Sequence, residues 1–98
     1  FVNDFASYLP RDTALMLHAV QGPVSETLFK DRTTHAAWRS KPSWYAVSTA
    51  DRTINPGLQR FMASRMGATT VEIDSSHLSM LSHPSEVAQL ILSAARSV

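Results

Sequence analysis

No cysteine occurs among the 98 residues. Its absence removes disulfide frameworks, thiolate nucleophiles, iron–sulfur clusters and cysteine zinc sites. It also fits a reducing compartment, so a cytoplasmic location is the expectation. Charge of one sign is lacking too: nine Lys+Arg stand against eight Asp+Glu, for a net charge of +1, and the basic residues are scattered singly from Arg11 to Arg96. Neither a nucleic-acid footprint nor a polybasic membrane patch is present, and no nucleic-acid or membrane partner is expected. No apolar run approaches the ~20 residues of a membrane span, and no charged head with an apolar stretch behind it opens the chain. What the chain does have, 44% hydrophobic and 17% charged residues, is the composition of one small, core-forming domain. It begins at Phe1 rather than Met, as a processed chain or a piece of a longer one would.

The two parts of the chain differ in texture. Residues 1–41 contain no alternating run that reads as a strand, but short helical patterns cut by Pro10, Gly22 and Pro23. Asp12 is placed to cap a helix carrying Leu15, Met16, Ala19 and Val20 and stopped by Gly22; Ser25 is placed to cap another with Leu28 and Phe29. Each offers a narrow apolar stripe, so this part reads as a helical cap or lid. Residues 42–98 are more regular. Trp44 to Thr49 is apolar on both faces, as in a parallel strand covered on both sides. Asn55 and Pro56 then open a helix with Leu58, Phe61, Met62 and Met66 as its apolar face, and Gly67 ends it. Thr69 to Asp74 is β-branched at four of six positions. Strand, helix and strand within about thirty residues predict a βαβ crossover. After a loop from Ser75 to His83, a last helix opens at Pro84 and carries Val87, Leu90, Ile91, Ala94, Ala95 and Val98. The expected fold class is α/β, with parallel strands.

In open α/β sheets, ligands gather at the carboxyl ends of the strands, which here are followed by Asp51 and His77. Neighbouring strands lie ~4.8 Å apart, close enough for a carboxylate to reach an imidazole N–H. Such a pair can orient a general base. An Asp just past a strand also commonly builds a turn, and a lone loop His is usually solvated, so spacing alone leaves both readings open.

The residues around this pair carry a resemblance. Lys41-Pro42-Ser43-Trp44-Tyr45, Asp51-Arg52-Thr53-Ile54-Asn55-Pro56, Phe61 to Ala68, Ser75-Ser76-His77 and Ser82-His83-Pro84 together resemble the C-terminal third of α/β-hydrolases. The likeness is greatest to bacterial esterase-like proteins related to plant methylesterases and hydroxynitrile lyases. It covers about Lys41 to Ala95, and more loosely Phe5 to Pro23. It implies that Asp51 is the acid and His77 the base of a catalytic triad. One departure stands beside it. The family's serine sits on a G-x-S-x-G elbow ahead of the acid, and Gly22, Gly57 and Gly67 bracket no serine in that way. No nucleophile is assigned, and the 98 residues alone are expected to be inactive.

The resemblance implies a serine hydrolase that acts on a small-molecule carboxylic ester and needs no cofactor or metal. Two other readings stay open: a hydroxynitrile-lyase-like activity, and a folded or assembling module without catalysis. Leu78 and Met80 beside His77, and Trp38 and Met16 in the cap, are candidate substrate-pocket residues. His18, His35, His77 and His83 show no metal-ligand spacing; His83 is expected to help cap the final helix. Because strand 44–49 reads as interior to a wider sheet, its second edge is expected to pair with a preceding hydrolase segment or with a second copy.

Overall fold

A computed structural model describes all 98 residues. The order of elements is α1 (Arg11–Ala19), 3-10 turns at Glu26–Phe29 and Ala37–Arg39, β1 (Trp44–Ser48), α2 (Pro56–Arg65), β2 (Thr69–Ile73), α3 (Ser79–Ser82) and α4 (Pro84–Arg96). β1 and β2 form a two-stranded parallel sheet in register from Trp44–Thr69 to Ser48–Ile73. The fold is therefore α/β, as expected. No helix is long and apolar enough to cross a membrane.

Local chemistry explains the crossover helix. Asn55 Oδ1 accepts from the Gly57 N–H at 2.7 Å, and Pro56 takes the first helical position, where a missing N–H costs nothing. At the other end, Gly67 adopts φ +61°, a left-handed conformation that a side chain disfavours. Its N–H reaches Ser64 O, and the Ala68 N–H reaches Ala63 O. This paired closure satisfies two terminal carbonyls and turns the chain directly into β2.

Helices flank both faces of the sheet, although β2 stays exposed from Thr69 to Glu72. Arg60 of α2 pairs with Glu72, and Tyr45 shares a cavity with Met62 and Met66, so α2 lies over the face carrying Tyr45 and Val47. On the opposite face, Leu90 and Ser93 of α4 line a cavity of about 280 Å³ with Thr69, Val71 and Ile73. The second edge of β1 has no partner within this chain.

Several expectations about individual faces need correction. Helix α1 begins at Arg11 behind Pro10 without a side-chain cap, and it ends at Ala19 before Gly22 is reached; Asp12 instead accepts from the adjacent Thr13 N–H. Its buried residue is Ala14, while Leu15, Met16 and Val20 are exposed. Ser25 does cap, but the element it opens is a single 3-10 turn with Leu28 and Phe29 exposed. On α2 the inward face is Gln59, Met62, Ala63 and Met66, and Leu58 and Phe61 face solvent. Both sets fit helical periodicity, and apolarity alone favours the wrong one. The loop after β2 holds the short helix α3, and His83 precedes α4 without a side-chain cap because its Nδ1 bonds the Ser82 hydroxyl. On α4, Ile91 is exposed, as is Val98 beyond the helix end, leaving Val87, Leu90 and Ala94 as the half-buried stripe.

Candidate active site

Burial is concentrated where β1 and β2 end. Of the eleven buried residues six are polar, namely Ser48, Asp51, Gln59, Ser75, Ser76 and Ser79. All six lie at or beside the carboxyl ends of the strands, and no buried side-chain polar atom lacks a partner. Native cores pair nearly all their buried polar groups, so what sets this one apart is their concentration at one end of the sheet.

The strands bring the two candidate residues together by continuing their pairing beyond the sheet. The Thr49 N–H donates to Ile73 O at 2.9 Å and the Ala50 N–H to Ser75 O at 3.1 Å. Asp51 follows Ala50 directly, and His77 comes two residues after Ser75. Asp51 Oδ1 accepts from the N–H groups of Thr53 and Ile54, at 2.8 and 3.0 Å, which curls the β1–α2 loop around the carboxylate. Oδ2 accepts from His77 Nδ1 at 2.8 Å and from Gln59 Nε2 at 2.9 Å.

Burial alone would push the Asp51 carboxyl up. The hydrogen bond from His77, the N–H groups of Ile54 and Thr53 and the His77 charge together outweigh it, and the group sits below its ordinary value. The carboxylate is therefore ionised at neutral pH and can only accept. His77 Nδ1 is then the donor in this bond, and Nε2, across the ring, takes no part in it. The Phe5 ring lies 4.5 Å from the imidazole, centroid to centroid, and covers one of its faces. Tyr8 fastens the same N-terminal segment to the site through its O–H to Asp74 Oδ1, at 2.8 Å.

Beside the pair opens a cleft of about 370 Å³, lined by Trp44, Tyr45, Ile54, Met80 and Val87 together with Asp51 and His77. Met80 is thus at the cleft. Leu78 is half-buried at the start of α3 and does not line it. The cap residues are elsewhere. Trp38 lies on the α2 side of the sheet, stacked against the guanidinium groups of Arg39 and Arg65, at 5.5 and 5.3 Å. Met16 projects to solvent from α1. The cleft also takes in Tyr45, Ile54 and Val87, whose sequence positions speak only for strand, loop and helix packing; nothing local marks them as cleft residues. Gln59 did carry a signal: it is a polar residue at a position that helical spacing allows to face inward. No three His, Asp or Glu side chains gather as a metal-holding group.

An α/β fold with a buried carboxylate bonded to a histidine at the carboxyl ends of adjacent parallel strands is compatible with a hydrolase core. Comparison with family models agrees. Residues 1–90 match the alpha/beta hydrolase family, and the chain belongs to that family. The match includes the N-terminal helical part as well as the β1–α4 region. No curated protein and no solved structure matches the chain.

Proposed function

We propose that Asp51 and His77 are the acid and base of a serine-hydrolase triad acting on small carboxylic esters, in the esterase-like branch that the sequence resembles. One observation carries this reading: the 2.8 Å bond between Oδ2 and Nδ1, at the mouth of a largely apolar cleft. In the reaction, Nε2 takes the serine hydroxyl proton as the oxygen bonds to the ester carbonyl carbon. It then gives that proton to the departing alkoxide, which leaves as the alcohol, and takes another from a water whose oxygen bonds to the acyl carbon; the serine oxygen departs, recovers that proton, and the acid is released. Asp51 stays ionised throughout and stabilises the imidazolium. The cleft would receive the apolar part of the ester between Met80 and Val87.

The serine and its oxyanion donors come, in this reading, from a hydrolase segment ahead of Phe1, since a second copy on the free edge of β1 would complete the sheet but bring no elbow. The test is hydrolysis of p-nitrophenyl esters. The 98 residues alone should give only imidazole-like background, because removing parts of such a unit costs about 10⁶ in turnover. A chain extended upstream through a G-x-S-x-G elbow should hydrolyse the ester and lose that activity in both His77→Ala and Asp51→Ala. Activity that survives His77→Ala would refute the assignment. Saturable, phosphonate-sensitive turnover by the 98 residues would show that a nucleophile lies among them.

A further inference from the structure

We propose that Gln59 is a positioning residue for the Asp51–His77 pair, holding the carboxylate oxygen that faces the imidazole. The proposal rests on the acid–base reading of that pair and extends it to a residue on α2. Gln59 is 4% exposed. Its Nε2 donates to Asp51 Oδ2 at 2.9 Å and to Ile54 O at 2.8 Å, and its Oε1 accepts from the Ser48 N–H at 3.0 Å. Both ends of the amide are used, which sets its orientation. A flipped amide would set its NH₂ against the Ser48 N–H and its oxygen against a carboxylate and a carbonyl.

The geometry divides labour at the carboxylate. Oδ1 is tied to the loop by Thr53 and Ile54, whereas Oδ2 has only His77 and Gln59. Rotation about the Asp Cβ–Cγ bond is soft, so one anchored oxygen leaves the other free to swing. Gln59 removes that freedom. As a neutral donor it stabilises the anion without cancelling the charge that an imidazolium needs, which a lysine or arginine there would do. A buried amide on a helix face also costs free energy unless it is fully bonded, and a hydrophobic residue would fill the same stripe. The bonds to Ser48 and Ile54 allow a rival role, in which Gln59 merely ties the end of β1 to α2.

NMR on the 98-residue chain separates the two roles. In the wild type, ¹⁵N-labelled His77 should show a protected Nδ1 proton, and the Asp51 side-chain carbon should titrate below the ordinary carboxylate range. In Gln59→Met the Nδ1 proton should exchange about tenfold faster or vanish, and the Asp51 titration should move up. Gln59→Glu keeps an acceptor for the Ser48 N–H and guards against failure of the methionine variant to fold. There the two carboxyls should share one proton and titrate as a pair, with one step well above the ordinary range. If either folded variant loses thermal stability while the Nδ1 proton and the Asp51 titration stay as in wild type, Gln59 is only a structural tie and the proposal is overturned. Two independent, ordinary carboxyl titrations in Gln59→Glu would overturn it as well. A wild-type spectrum without the protected Nδ1 proton would instead defeat the acid–base reading itself, before any variant is compared.

Discussion

Replacing Asp51 by alanine removes the acceptor for four donors at once: the N–H groups of Thr53 and Ile54, Gln59 Nε2 and His77 Nδ1. Each intramolecular hydrogen bond contributes about 1 kcal/mol net, and a buried donor left unpaired costs about 1–3 kcal/mol. The two loop N–H groups are only partly buried, so water can replace part of what they lose. Gln59 Nε2 keeps Ile54 O as a partner, and His77 can turn its N–H toward the cleft. The expected cost of Asp51→Ala is therefore about 3 kcal/mol, a large share of the 5–15 kcal/mol typical of a domain.

Asp51→Asn is the informative control, because it keeps Oδ1 for the loop and puts an NH₂ where Oδ2 faced two donors. His77 can absorb the change by switching tautomer, whereas Gln59 cannot flip without losing Ser48 and Ile54. That variant should cost about 1–2 kcal/mol. Urea unfolding with an unchanged m-value reads the difference between the two. An alanine variant within about 0.5 kcal/mol of wild type, as for an ordinary surface change, would refute Asp51 as the anchor of this loop. An asparagine variant as unstable as the alanine one would refute the division between the two oxygens. The acid limb provides a second readout. A carboxyl lowered in the folded state contributes stability that is fully present above its unfolded value and is lost as pH falls through the folded value. Asp51→Ala should lack that part of the acid-dependent loss.

Gly67→Ala should destabilise by about 1 kcal/mol through backbone strain alone, since φ is +61° and nothing lies within 4 Å of an added Cβ; thermal unfolding checks it, and an unchanged midpoint would remove the strain account. Val47→Ala, at a fully buried position of β1, should cost about 2 kcal/mol in urea, from two lost carbon groups and a residual cavity. Tyr8→Phe removes an exposed tie to Asp74 and should leave global unfolding nearly unchanged while trypsin cleaves after Arg11 faster; equal cleavage rates would show that Tyr8 does not hold the N-terminal segment.

Much of the framework was legible because it rests on local chemistry. Asn55-Pro56 starts α2 and Gly67 ends it whatever the rest of the chain does, since capping and a positive φ depend on a few consecutive residues. β-branched density marks β2, and Pro84 marks the start of α4. Asp51 and His77 stood out because each follows a strand. Helix faces were less legible. Apolarity favoured Leu58 and Phe61, yet α2 turns Gln59 inward, because the amide completes the hydrogen bonding of Asp51 and Ser48. Sequence also left Met16 and Trp38 open between cleft and packing, since a hydrophobic side chain in a cap segment carries no information about which face of the sheet it meets.

The order of residues alone determined the α/β class, the β1–α2–β2–α4 succession and the two side chains that could act as acid and base. Tertiary structure decided that these two meet, because the parallel register extends through Ala50 and Ser75 and sets Asp51 and His77 within 2.8 Å. It also decided which ring nitrogen of His77 faces the carboxylate and which residues complete its surroundings. Capping and strand propensity act over a few neighbouring residues, whereas register, burial and hydrogen bonds between side chains 26 positions apart exist only once the chain has closed on itself.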